Sequence, residues 1–229
     1  MRTIAVISDV HANLEALEAV LRRVEGVELY CLGDMVDYGA DPNEVIDALR
    51  ERGVRSVVGN HDVAALTGDT SLFNPRAAMS SKWTGSRLTA ANKGYLRGLP
   101  QEMRLKVEGV EVYFTHGSPD DRLWEYVDPW THSDLLGFYL QRARVRLMGL
   151  GHTHIPFVWE SGDGVVFNPG SVGQPRDGDW RASYALVSLD GDNVEVVVNR
   201  VEYDYETAAS KIRAAGLPQS FADRLGAGS

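Results

Sequence analysis

Cysteine is nearly absent from this 229-residue sequence, where Cys31 stands alone. One thiol excludes an internal disulfide and any thiolate metal cluster, so a metal site must use nitrogen and oxygen ligands. Within "ELYCLGD" Cys31 sits in a strand-like apolar run and reads as an inert core thiol. Long hydrophobic runs are also missing. None approaches the length of a membrane span, and "MRTIAVISD" is apolar for too short a stretch to be a signal peptide. A cytoplasmic protein without a membrane partner is the expectation. Positive charge is in deficit, with a formal net charge of −9. That balance argues against an extended nucleic-acid surface but permits a local cationic site. Histidine is scarce too, at six residues.

What is present is enough apolar sequence, 44%, for a substantial core. No linker, repeat or low-complexity segment divides residues 1–229, so one domain is expected. "TIAVIS" (3–8), residues 28–33 and 54–59 read as buried strands. Leu14, Leu17, Leu21 and Val24 recur at helical spacing, and 43–53 reads as a second helix. Strand–helix alternation with short loops points to an α/β sheet. Residues 63–98 look helical. A hairpin is expected around Glu108-Gly109, a helix over 133–143, and strands near 146–151, 157–160, 164–168, 183–189 and 193–201. A last helix spans 205–216, and 217–229 reads as a loose tail.

Small polar clusters follow the expected strands: "SDVHAN" (8–13), "GDMVDYG" (33–39), "GNHD" (59–62), "THGSP" (115–119) and "GHTH" (151–154). Five of the six histidines lie in them, and only His132 does not. Loops beyond the carboxyl ends of strands form the ligand crevice of open α/β sheets, so five clusters should converge on one edge. Residues i and i+2 share a face of an extended chain. Asp9 with His11, and His152 with His154, therefore read as pincers on extended segments, with Gly151 giving room to turn and Pro156 keeping the chain out of a helix.

The ordered set D-x-H, G-D-x-x-D, G-N-H-D, H-G and G-H-x-H resembles the calcineurin-like metallophosphoesterase superfamily. "NPGSVGQPR" (168–176) and "RASYALV" (181–187) look like its small bacterial and archaeal phosphodiesterase-type branch. The resemblance implies a four-layer α/β/β/α sandwich, two mixed β-sheets flanked by helices. It implies two divalent transition-metal ions (Mn, Fe, Zn, Ni or Co, with Mn favoured). One ion would take Asp9, His11, Asp34 and His154; the other would take Asp34, Asn60, His116 and His152. A hydroxide bridging such a pair would attack phosphorus in line. His61 resembles the general acid, and Asp37 the carboxylate that orients it.

Position 38 is Tyr, where protein phosphatases and symmetrical dinucleoside tetraphosphatases carry a phosphate-holding arginine. Arg176 and Arg122 are the candidate replacements, and Asn13 either touches substrate or caps a helix. Residues 70–100 could wall the pocket, and Trp83, Trp124 and Trp130 could stack on a base or an aryl ester. A phosphodiesterase for small, nucleotide-like diesters is the leading expectation. A phosphomonoesterase or protein phosphatase on the same site is the alternative, and a non-catalytic scaffold of the same fold is the reading from another class. A DNA nuclease is disfavoured by short length and negative charge. Substrate, metal identity and oligomeric state, including a homo-oligomer, stay open.

Overall fold

The apolar runs and the alternation described above resolve, in a computed structural model, into ten strands and eight helices among the described residues, 1–191 and 193–229. The strands are β1 (Arg2–Ile7), β2 (Glu28–Cys31), β3 (Arg55–Ser56), β4 (Glu102–Val107), β5 (Val110–Thr115), β6 (Leu147–Gly149), β7 (Phe157–Ser161), β8 (Gly164–Asn168), β9 (Ala182–Asp190) and β10 (Asn193–Val201). The helices are α1 (Leu14–Arg23), α2 (Pro42–Glu51), α3 (Asn60–Thr67), α4 (Pro75–Arg87), α5 (Ala90–Arg97), α6 (Ser133–Ala143), α7 (Tyr205–Ala214) and α8 (Gln219–Leu225).

Two five-stranded mixed sheets form the centre, ordered β10-β9-β1-β2-β3 and β4-β5-β6-β8-β7. Period-two alternation along β1 explains how they stack. Ile4 and Val6 face Phe114, Leu147 and Phe167 of the second sheet, while Ala5 and Ile7 face the helices α1, α2, α7 and α8. On the far side Leu136, Tyr139 and Leu140 of α6 pack against Met148 and Val166. The layers are therefore helix, sheet, sheet, helix, as the resemblance implied. Strands β1, β2 and β3 are parallel to one another, as are β5, β6 and β8. Parallel strands end on the same side, which brings the loops after β1, β2, β3, β5 and β6 together. No helix among the described residues is long and apolar enough to cross a membrane.

Two elements depart from expectation. The strand expected over 54–59 pairs with β2 only at Arg55 and Ser56. Past that point the Val58 N–H turns away to the Pro100 carbonyl, ending the ladder. Residues 217–229 are no loose tail either. Phe221, Ala222 and Leu225 of α8 are buried, and Phe221 meets the Tyr38 ring edge-on at 4.9 Å. Three apolar side chains are too few for a strong periodic signal, but they suffice once a core accepts them.

Candidate metal centre and substrate cleft

Asp9 follows β1, Asp34 follows β2, Asn60 and His61 open α3 after β3, His116 follows β5, and His152 and His154 follow β6. All seven candidate donors and His61 are buried, none more than 6% exposed. Backbone bonds between loops fix their positions. The N–H groups of Asp9, His11 and Ala12 donate to the carbonyls of Gly33, Asp34 and Met35, and Gly173 N–H donates to the Asp9 carbonyl. Segment 9–12 is thus clamped between 33–35 and 172–173.

The backbone angles overturn the extended pincers. Asp9, His11, Asp34, His152 and His154 all have φ between 49° and 68°, in the left-handed region. Eight of the ten non-glycine residues with positive φ among the described residues belong to these loops. Each costs about 1–3 kcal/mol and persists only where surrounding bonds over-determine it, a pattern concentrated at functional sites. The paired side chains converge because the chain turns sharply, not because it runs straight. Two of the glycines in these loops illustrate close approach. A Cβ on Gly33 would lie 2.6 Å from Gly59 N, and one on Gly151 would lie 3.1 Å from His116 Nδ1. Gly151, expected to supply a turn, instead lets its loop lie against the donors.

The ring nitrogens have fixed roles. Nδ1 of His11 donates to the Val36 carbonyl at 2.9 Å, Nδ1 of His116 to Leu32 at 2.7 Å, and Nδ1 of His154 to Gln174 at 2.6 Å. A carbonyl only accepts, so Nε2 of the neutral His11 and His154 rings presents a lone pair. The Nε2 atoms of His11 and His154 then face each other at 3.1 Å, two lone pairs with no proton between them. His116 Nε2 lies 3.0 Å from Asn60 Oδ1 and 3.2 Å from Asp34 Oδ2, two oxygens that accept. Asp9 Oδ1, Asp34 Oδ2 and His152 Nε2 are buried with no hydrogen-bond partner. Such an arrangement fits cations. Asp9, His11 and His154 form one group of ligand atoms within 4.8 Å of one another, and Asp34, His116 and His152 form a second. Asp34 Oδ2 also lies 3.7 Å from His11 Nε2, between the two groups.

Burial sets much of the electrostatics. It lowers His11 and His154 well below the ordinary histidine value, and takes His152 down to about 3 with His116 adding to the effect. These rings stay neutral, as ligation requires. Burial and the nearby Asp34 carboxylate raise Asp9 to about 6, against His116. Burial would also lower His116, but Asp34 and Asp9 outweigh it and carry it to about 9. Asp34 itself goes well below the carboxylate range, because His116, His61 and His11 overcome the desolvation.

Beside these donors, His61 Nδ1 lies 2.8 Å from Asp37 Oδ2 and His61 Nε2 lies 3.2 Å from the Tyr38 hydroxyl. Burial would lower His61, but Asp34 and Asp37 raise it above the ordinary value. A cleft of about 180 Å³ opens over Asp34, Asn60, His61, His152 and His154, with Arg176 on its edge. Phe73, Trp124 and Tyr126 form an apolar wall. Trp124 thus reaches the cleft. Trp83 is half-buried on the helix-side core and Trp130 is 77% exposed, so neither lines it.

Two residues weighed as substrate contacts are engaged elsewhere, Asn13 in the helix cap that was its other reading. Asn13 is fully engaged: its Oδ1 accepts from Ala16 N–H as the α1 cap, and its Nδ2 donates to Gly173 O and Tyr203 Oη. Arg122 is held by Glu102 at 2.5 Å and lies outside the cleft, because hairpin pairing sets Glu102 opposite Thr115 at the base of its loop. Other residues escaped the sequence reading. Asp62 accepts from the N–H groups of Gly59, Asp34 and Met35, tying two donor loops together. Asn168 donates to Gly151 O, and Ser171 Oγ donates to Asp9 O. The signal for both was the "NPGS" stretch, and for Asp62 its place three residues after Gly59, where a helix N-terminus takes an acidic side chain.

The family model for the calcineurin-like phosphoesterase superfamily domain matches residues 1–192. An uncharacterized protein of Methanocaldococcus jannaschii is 40% identical over 243 residues, covering 97% of this chain and 96% of that protein. The crystal structure of a metallophosphoesterase from Sphaerobacter thermophilus is 38% identical, with a TM-score of 0.84, over 100% of this chain and 99% of that one. A protein of Pyrococcus horikoshii OT3 is 25% identical with a TM-score of 0.90, over 100% of this chain and 99% of that one.

Proposed function

The chain belongs to the calcineurin-like phosphoesterase superfamily, and from that premise we propose that it is a phosphodiesterase for small, nucleotide-like diesters served by a pair of divalent metal ions. Metal-dependent phosphoester hydrolysis is the activity of the family. The observation that carries the reading is the convergence of lone pairs: His11 Nε2 against His154 Nε2 at 3.1 Å, beside the unpartnered Asp9 Oδ1, Asp34 Oδ2 and His152 Nε2. Asp9, His11, Asp34 and His154 would hold one ion, and Asp34, Asn60, His116 and His152 the other. Bound there, the ions supply Lewis acidity and acidify water to neutral pKa, about 7 in favourable cases. Nitrogen and oxygen donors suit manganese among the candidates. A cytoplasmic location and a single domain over 1–229 belong to the same proposal.

The chain's own residues do the rest. Arg176 reaches the phosphate from the cleft edge with planar donors. His61 protonates the leaving oxygen from Nε2, while Asp37 holds Nδ1 and fixes the ring. The Tyr38 hydroxyl steadies the same Nε2 before substrate arrives. Phe73, Trp124 and Tyr126 exclude water and offer an apolar seat to a base or aryl substituent. A diester carries one negative charge, a monoester close to two. With Tyr at position 38, a single guanidinium lines the cleft, which matches the smaller charge. A scaffold role has no support in a site with every donor and the His61–Asp37 pair in place.

The test compares bis-p-nitrophenyl phosphate with p-nitrophenyl phosphate on the Mn²⁺-loaded chain. A higher kcat/KM for the diester is expected, and faster monoester turnover would sink the diester reading.

A further inference from the structure

Next to the donor cleft lies a second, larger hollow of about 560 Å³. The two share Tyr38, Asn74 and Arg176, so they form one continuous groove. Three arginines line the second hollow: Arg76 from the first turn of α4, Arg176 from the loop after β8, and Arg224 from α8. No Asp or Glu side chain lines it, and among the described residues none of the three arginines forms an ion pair. Ser229 completes its rim.

This concentration of positive charge is held in place. Gln174, 2% exposed, turns its Oε1 toward two of the guanidiniums, accepting from Arg176 Nη2 at 3.2 Å and from Arg224 Nη1 at 3.4 Å. One neutral acceptor is a poor counterweight to two charges. Burial, then the neighbouring Arg176 and Arg76, lower the Arg224 pKa below its usual value. Like charges gathered without an ion-paired carboxylate destabilise one another until an anion joins them, and guanidinium forks match phosphate oxygens.

We propose that Arg76, Arg176 and Arg224, braced by Gln174, form a second phosphate subsite continuous with the donor cleft, so that the preferred substrate carries a further phosphate besides the one cleaved. This rests on the phosphodiesterase reading for its catalytic consequence, though not for the binding itself. Arg176 stands at the junction and would touch both phosphates. Arg224 and part of the rim come from outside residues 1–192, beyond the part of the chain that the family model matches.

Two measurements on the full-length chain test it. In the first, the Mn²⁺-loaded protein is given the 5′-p-nitrophenyl ester of thymidine 5′-phosphate, with or without a 3′-phosphate. The wild type should prefer the 3′-phosphorylated ester in kcat/KM by about tenfold or more, and the preference should collapse toward one in Arg224→Gln or in Arg76→Gln. Arg76 is exposed, so its variant keeps the test alive if Arg224→Gln fails to fold. In the second, chelator-treated protein is titrated with inorganic pyrophosphate in a calorimeter, and binding should weaken about tenfold in either variant. Equal use of the two esters by the wild type, or pyrophosphate binding unmoved in both variants, overturns the subsite. If neither ester is cleaved, the phosphodiesterase reading fails, and the calorimetry alone still decides the subsite.

Discussion

The donor end of the groove and the arginine basin beside it are built in different ways. The donors are buried and come from five strand ends, and five of the seven sit on a left-handed backbone clamped by loop-to-loop hydrogen bonds. The basin is open, and three segments far apart in sequence assemble it, one of them beyond residue 192. A rigid donor set can act on a phosphate but recognises little beyond it. An open cationic basin can change its preference without disturbing the chemistry. The first region therefore governs whether a phosphoester is cleaved, and the second governs which one.

Substitutions can break or sharpen that division. The largest effect is expected at the leaving-group side of the donor end. His61→Ala should lower kcat for an alkyl diester by about 10²–10⁴-fold, and much less for a p-nitrophenyl ester, whose leaving group needs no proton. Asp37→Asn should fall between, at about 10–100-fold, since it supports the ring without touching substrate. Both are read from kcat on paired alkyl and aryl substrates. Equal losses on the two leaving groups would take the acid role from His61. The smallest effect is expected at Asn13. Asn13→Ala removes the α1 cap and should cost about 1 kcal/mol in denaturant unfolding with KM unmoved. A raised KM would return Asn13 to the substrate site.

The sequence made much of this legible, and physical reasons explain what it hid. Helix α6 and the hairpin at Glu108-Gly109 stood out because periodicity and turn chemistry agree there, with Glu108 and Gly109 both at positive φ. The seven donor positions stood out because histidine is scarce and each cluster closes a strand. The conformation of those donors did not. Nothing in "DVH" or "HTH" announces a left-handed backbone, which inter-loop hydrogen bonds impose from residues 33–35 and 172–173 on the first and from His116 and Arg176 on the second. Arg122 misled because nearness in sequence to His116 says nothing of direction, and Glu102 turns it away. Helix α8 was hidden because its stability comes from burying Phe221, Ala222 and Leu225 in a core that other segments build. The basin was hidden for the same reason: Arg76 and Arg224 are 148 residues apart, from position 76 to position 224, and only the fold brings them together.

A pair of divalent ions would share Asp34, whose Oδ2 lies 3.2 Å from His116 Nε2 and 3.7 Å from His11 Nε2. The most direct measurement is metal content per chain by mass spectrometry after stripping, Mn²⁺ reloading and desalting, for wild type and for Asp34→Asn. Two ions per wild-type chain are expected, with the loss of both, or nearly both, in the variant. One ion in the wild type, or two retained without the Asp34 carboxylate, would contradict that sharing.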